Sequence, residues 1–284
     1  MYRLQPFSRL SFEQAAQLFT EGFKYYFTDI QMTVDALLLK IVNEQLSPEK
    51  SLVLLDQDKP VGFLLNGFMT INGKKIAWNG GTGIIPSHRG KGGGKVLLQG
   101  CMALYQQEGI TEAYLEAISE NEPAIALYKQ FGYTPCEQLT YYVRNGILSC
   151  ETYNDLSYDS QYGFPHEITH HFPLLDHMPW QTMPQHVKGG QVLFVYEKEQ
   201  PVGYALYTKR PNESITLYHC YVAPANPHRT QLVAYMLSNI FEPQLSYRRL
   251  AFNIQERCYE VKEWLHTHQF EVLVTQLHMS KKID

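Results

Sequence analysis

From Ile84 to Leu98 the chain reads Ile-Ile-Pro-Ser-His-Arg-Gly-Lys-Gly-Gly-Gly-Lys-Val-Leu-Leu, an apolar strand end that passes through a proline into a glycine-rich turn. An amphipathic pattern starts directly behind it, so this stretch must be a strand, a tight loop and a helix. Gly90, Gly92, Gly93 and Gly94 let a backbone close around an anion without Cβ interference, so that loop and first-turn N–H groups can converge on it. Arg89, Lys91 and Lys95 add positive charge. Spacing excludes two familiar phosphate cradles. A dinucleotide G-x-G-x-x-G fails because Gly90 and Gly92 lead to Lys95, and Gly92 and Gly94 to Leu97. A nucleotide P-loop ending at Gly94-Lys95 would need glycine where Arg89 stands and a hydroxyl where Val96 stands.

The pattern that fits is R-x-x-G-x-G, carried by Arg89, Gly92 and Gly94 and preceded by Ile84-Ile85-Pro86. It resembles the acetyl-CoA loop of the GNAT acyltransferase superfamily, where the turn holds the coenzyme's pyrophosphate. A second segment resembles the superfamily's last conserved block: a short apolar strand, Ala113–Ile118, then Asn121, then a helical run ending in Leu127-Tyr128-Lys129-Gln130-Phe131-Gly132-Tyr133. Between the two lies a helix with Leu97, Cys101 and Leu104 at i, i+4 and i+7, closed by Gly109. The resemblance implies that acetyl-CoA lies where the loop-feeding strand and the Tyr114–Ile118 strand splay apart. It further implies that backbone groups of Thr82, Gly83 and Ile84 pair with the pantetheine arm and that Asn121 holds the arm further along; an ordinary turn asparagine is the alternative for Asn121.

Acetyl transfer from a thioester to an amine needs a neutral amine, a held thioester and a proton for the thiolate, but no covalent enzyme intermediate. Tyr128 is the candidate acid, since a phenol is protonated at neutral pH; the alternative is a core aromatic on an apolar helix face. Glu116 is the candidate base, the one acid inside an otherwise apolar strand, or else a carboxylate paired at the sheet edge. Glu116, Asn121 and Tyr128 also match in spacing the base, coenzyme-binding and acid positions of the superfamily's ribosomal-protein N-terminal acetyltransferases. Near the first two helices, Phe23-Lys24-Tyr25-Tyr26-Phe27 followed by Asp29 and Asp35 could receive a cationic amine on aromatic faces and a carboxylate. Tyr25, Tyr26 and Asp29 are the acceptor candidates, unless these rings simply close the core.

Self-similarity sets the domain organisation. Pro60-Val61-Gly62-Phe63-Leu64-Leu65 recurs as Pro201-Val202-Gly203-Tyr204-Ala205-Leu206 at an offset of 141, Ile84-Ile85-Pro86 as Val222-Ala223-Pro224 at 138, and Phe131-Gly132-Tyr133 weakly as His268-Gln269-Phe270 at 137. Three ordered matches at nearly one offset imply two copies of one fold. The expected class is α/β with two tandem GNAT-like domains, 1–145 and 150–284, each a mixed, splayed sheet flanked by helices. The second copy loses the cradle: Pro227, Thr230 and Leu232 stand where Arg89, Gly92 and Gly94 stood, and Leu265 replaces Tyr128. It reads as a structural or substrate-shaping partner.

The remaining features narrow the function class. A net charge of −4 without a basic stripe argues against nucleic-acid binding by phosphate neutralisation. No signal-peptide core or membrane-length apolar run is present, and five scattered cysteines read as reduced thiols, so a cytoplasmic enzyme without a membrane partner is expected. His166-Glu167-Ile168-Thr169-His170 satisfies H-E-x-x-H, but Pro165 and Pro173 leave no room for the sustained helix that a zinc peptidase requires, and a histidine-rich surface loop is the better reading. The expected activity is acetyl-CoA-dependent N-acetylation of a small-molecule or peptide amine without a metal; the alternative is a non-catalytic acyl-CoA-binding or partner-binding module.

Overall fold

The computed structural model describes residues 2–26, 30–71, 73–148 and 158–283. The chain divides into two compact units, the first made of Met1–Cys136 with Leu277–Asp284 and the second of Glu137–Gln276. The division thus falls earlier than Asn145-Gly146, where a turn dipeptide follows the strand-like Leu139–Val143, and a segment far along the chain returns to the first unit.

In the first unit the strands β1 (Tyr2–Pro6), β2 (Leu52–Asp56), β3 (Lys59–Ile71) and β4 (Lys74–Ile84) pair antiparallel in sequence order. β5 (Glu112–Ile118) then pairs parallel with β4. Helix α1 (Phe12–Gly22) opens with a capping box in which Ser11 and Gln14 exchange side-chain and backbone bonds, and α2 (Val34–Asn43) is capped by the Thr33 hydroxyl. The crossover helix α3 (Gly93–Glu108) buries Leu97, Leu98, Cys101 and Tyr105, so its apolar stripe runs through Tyr105 and not Leu104. Helix α4 (Glu122–Gln130) buries Ile125 and Tyr128 and stops before Gly132, which takes the left-handed φ of 83°.

The second unit repeats the plan with β7 (Asp159–Gly163), β8 (Gln191–Glu197), β9 (Gln200–Arg210) and β10 (Ser214–Val222) antiparallel, then β11 (Tyr247–Gln255) parallel to β10 across helix α6 (Arg229–Phe241). A four-residue helix α5 (Ile168–His171) precedes β8, and α7 (Tyr259–Thr267) follows β11. The closing strands are exchanged. β6 (Thr134–Gly146), which follows α4, pairs antiparallel with β11 from Leu139 onward, whereas the end of β12 (Glu271–Lys282), which follows α7, lies beside β5. Met279 on that returning segment is fully buried in the first unit's core with Leu97, Ala113 and Leu115. Among the described residues, no helix is long and apolar enough to cross a membrane.

Candidate active site

Strand β4 is bent by an extra residue. Leu65 pairs with Gly81 and Asn66 with Asn79, which leaves Gly80 bulged against β3. Only glycine fits there, because a Cβ would lie 2.5 Å from the Trp78 ring. The side chain of Asn79 staples the bulge: its Oδ1 accepts the Gly81 N–H at 3.1 Å and its Nδ2 donates to the Thr82 hydroxyl at 2.9 Å. Past the bulge the sheet opens. The parallel ladder to β5 lasts four pairs, Ile76 with Glu112 to Asn79 with Leu115, so residues 80–84 of β4 and 116–118 of β5 have no strand partner on the edges that face each other. An extended, amide-bearing chain can pair with such edges.

Gly90 and Gly92, with φ of 73° and 82°, turn the chain from β4 into α3, and a Cβ on either would point into open space. Gly93 and Gly94 serve packing, since Cβ atoms there would lie 2.7 Å from Leu54 Cδ2 and 2.9 Å from Leu127 Cδ2. Among the described residues, the N–H groups of Gly92, Gly93, Gly94 and Lys95 find no backbone acceptor; the first to do so is Val96, bonded to Gly92 O at 3.2 Å. A sixteen-residue helix therefore presents its positive end through a glycine loop, with the exposed Lys91 and Lys95 beside it.

Arg89 has a different task from these lysines. Its Nε donates to Ile84 O at 2.9 Å, and one Nη donates to Gly22 O and Lys24 O at 3.1 and 2.6 Å. The guanidinium ties the end of α1 to the end of β4 and so sets the entry of the loop. The aromatic turn after α1 divides likewise. Phe23 packs on Phe19, Phe63 and Tyr26 and closes core, while Tyr25 is 81 % exposed. Tyr26 accepts a hydrogen bond from Asn121 Nδ2 at 2.8 Å, and Asn121 Oδ1 caps α4 by accepting the Ala124 N–H at 3.2 Å. Both ends of the Asn121 amide are thus engaged within the protein, linking the acceptor-side turn to α4. Asp29 lies outside the described residues.

Tyr128 projects from α4 to the Asn79 and Thr82 side chains at the bulge, and burial pushes its phenol up to about 12 despite those hydrogen bonds. On β5 the alternation turns Glu116 away from Ala113, Leu115 and Ala117, which belong to the core. Its Oε2 accepts the indole N–H of Trp78 at 2.7 Å, and its Oε1 lies 3.0 Å from His278 Nδ1. Tyr128 and Glu116 thus approach the opening from opposite faces of the sheet. Trp78, Asn79 and His278 were not visible as site residues in the sequence. Asn79 sits in the strand feeding the loop and could have been noticed as an amide amid apolar residues, but His278 lies 162 residues from Glu116 and gives no local signal.

In the second unit, β10 and β11 also pair for four positions, Ser214 with Arg248 to Leu217 with Ala251, and then part. Arg229 there donates to Val222 O at 2.8 Å and pairs with Glu260. The loop before α6 contains no left-handed residue. His166 to His170 forms a 3-10 turn and a single helical turn, and no group of three or more metal-binding side chains occurs among the described residues.

Residues 12–133 match the profile of the acetyltransferase (GNAT) family. Comparison with curated protein sequences gives no match. Among solved structures, the chain is similar over 99 % of its length to a GCN5-related N-acetyltransferase from Sphaerobacter thermophilus (TM-score 0.66, 12 % identity, 96 % of that chain). It is also similar over its whole length to a putative acetyltransferase from Pyrococcus horikoshii (TM-score 0.65, 14 % identity, 89 % of that chain). A tandem GNAT protein from the clavulanic acid biosynthesis pathway aligns over 100 % of this chain and 99 % of its own (TM-score 0.60, 10 % identity). Identities this low speak for the fold alone. The resemblance carried by the two motifs holds: the fold is a pair of GNAT-like units, and the segment from α1 to the end of α4 matches the acetyltransferase family profile.

Proposed function

We propose that the chain is an acetyl-CoA-dependent N-acetyltransferase whose first unit is the active copy and whose acceptor is a primary amine. The observation that carries this reading is the opening of β4 from β5 directly beside a left-handed glycine loop that leaves the first N–H groups of α3 free. That combination suits a coenzyme with an anionic end and an amide-bearing arm. The N–H groups of Gly92 to Lys95, with Lys91 and Lys95, would hold the pyrophosphate, while Thr82, Gly83 and Ile84 offer a free strand edge to the arm. Acetyl-CoA supplies the activated thioester. The acceptor would enter past Tyr25 and Tyr26, and Asn121 would keep that turn in register with α4.

Glu116 takes one proton from the incoming ammonium. The neutral nitrogen attacks the thioester carbonyl, the carbon–sulfur bond breaks, and the second amine proton ends on sulfur. A phenol near 12 is a weak acid towards a thiolate, whose conjugate thiol ordinarily titrates at about 8.5. Tyr128 therefore stabilises the developing thiolate chiefly through a hydrogen bond, and its high pKa keeps that donor protonated at every physiological pH.

The full engagement of both Glu116 oxygens favours one other reading, an acyl-CoA-binding module without turnover. Thiol release from acetyl-CoA, followed with spermidine, kanamycin, glucosamine and a peptide with a free N-terminus, separates the two. Release with one of these amines supports the enzyme; calorimetric binding of acetyl-CoA without release from any amine, or no binding at all, overturns it. The calorimetric stoichiometry expected is one acetyl-CoA per chain.

A further inference from the structure

The last strand of the first unit brings a histidine to the candidate base. His278 lies on the returning segment of β12 with its ring stacked on Tyr114 at 5.3 Å between centroids and 8° between planes. Its Nδ1 is 3.0 Å from Glu116 Oε1, and the two side chains are only 1 % and 7 % exposed. The strand is pinned at this point, since Cys136 Sγ donates to the His278 carbonyl at 3.3 Å. The other ring nitrogen, Nε2, is buried and has no partner among the described residues.

These contacts decide the protonation pattern. A buried N–H without an acceptor is rarer and more costly than a buried lone pair without a donor, and a buried N–H on an imidazolium is costlier still. The arrangement of lowest cost keeps His278 neutral, with its proton on Nδ1 donated to Glu116 and the bare lone pair at Nε2. Glu116 is then an ionised carboxylate that accepts from Trp78 and His278 and retains lone pairs for a third donor. From α2, the Lys40–Glu44 ion pair faces the Trp78 ring, with Lys40 Nζ 5.8 Å from its centre.

We infer that His278 is a positioning residue for acetyl transfer: by donating Nδ1–H it holds Glu116 ionised and oriented as the proton acceptor for the substrate ammonium. This rests on the assignment of Glu116 as the base. No covalent change occurs at the histidine. One proton passes from ammonium nitrogen to a Glu116 oxygen, and the His278 proton stays on Nδ1 throughout.

The first test needs no ligand. Nitrogen-15 spectra of histidine-labelled full-length protein should show His278 as the neutral Nδ1–H tautomer across neutral pH; an Nε2–H tautomer or an imidazolium overturns the proposal. The second test uses the best amine of the panel above. His278→Phe keeps a ring over Tyr114 but removes the donor, so the acid limb of the pH–rate profile should move to higher pH by about one unit and kcat at pH 7 should fall several-fold. His278→Asn restores an amide N–H near the Nδ1 position and should return the limb towards its original place. Both variants should retain the acetyl-CoA-induced rise in melting temperature, since neither alters the loop. An unshifted acid limb in His278→Phe, alongside a Glu116→Gln profile that is altered, overturns the positioning role alone. A Glu116→Gln enzyme with the original profile overturns the base, and the positioning role with it.

Discussion

The two units differ least where their sheets open and most in what they place there. In each, a parallel ladder of four pairs ends in a splay, and in each the strand leading to it carries one extra residue, Gly80 in the first and Tyr218 in the second. These positions are 138 apart, the same offset that relates Ile84-Ile85-Pro86 to Val222-Ala223-Pro224. An arginine ties off the strand in both, through Ile84 O and Val222 O. Backbone geometry has therefore been kept while the chemistry has been exchanged. Where the first unit offers glycines and a free strand edge, the second lines a cavity of about 220 Å³ with side chains that include His219, Cys220, Tyr221 and Gln255. A splayed sheet alone is thus no evidence of coenzyme binding; the loop and the lining decide.

The sharpest way to break this contrast is Gly92→Val. The substitution places a Cβ where there is open space beside the loop and forces a branched side chain to φ of 82°, at a cost of about 1–2 kcal/mol. It should abolish the acetyl-CoA-induced rise in melting temperature, which at a hundredfold excess over Kd corresponds to about 2.7 kcal/mol. Gly94→Val is a less clean choice because the new side chain would press on Leu127. A Gly92→Val protein that shows the full shift would remove the loop from the coenzyme site.

A second contrast concerns acid. His219 stands where the first unit has Gly81, and burial, with Arg257 as a smaller contribution, lowers its pKa to about 4. Because the folded value lies below the unfolded one, near 6.5, protons bind the unfolded chain first. The neutral histidine is without penalty above pH 6.5, and stability falls by up to roughly 3 kcal/mol as pH drops from 6.5 to 4. His186, lowered to about 4 by burial, acts in the same direction. His219→Leu should flatten part of the pH dependence of the urea midpoint between those limits; an unchanged slope would mean that the ring is hydrated.

The smallest effect is expected at Tyr128. Leu265 occupies the corresponding place in the second unit, so the fold does not depend on a hydroxyl there. Tyr128→Phe should lower kcat by about tenfold to a hundredfold with little change in acetyl-CoA affinity, since it removes a donor that matters only as charge develops on sulfur. Near-normal turnover would assign the thiolate to another donor.

Much of this was legible in the sequence because it is local. The glycine loop, the helix it caps and the block from Ala113 to Tyr133 are each read within one or two turns of chain, and the repeat follows from matching such segments. What escaped was decided at long range. Arg89 looks like a phosphate ligand beside Lys91, yet the carbonyls of Gly22 and Lys24 claim it. Asn121 looks free to reach a ligand, yet it caps α4 and holds Tyr26. The boundary escaped because β6 runs unbroken from Thr134 to Gly146, and no turn residue marks the point where it leaves the first unit. His278 was hidden by the same exchange, since it belongs by sequence to the second copy and by packing to the first.

That exchange of closing strands has a cost in time. Before residues 277–283 have been synthesised, β5 has an unpaired edge, the core around Leu97 and Leu115 lacks Met279, and Glu116 lacks its histidine. At ordinary elongation rates the ribosome needs on the order of ten seconds or more to make the intervening second unit. During that interval the nascent first unit carries an open hydrophobic strand edge of the kind that recruits chaperones or a neighbouring chain. The order of assembly is therefore the reverse of the order of synthesis: the unit made first is completed last, and its candidate site matures only once the second unit has been made.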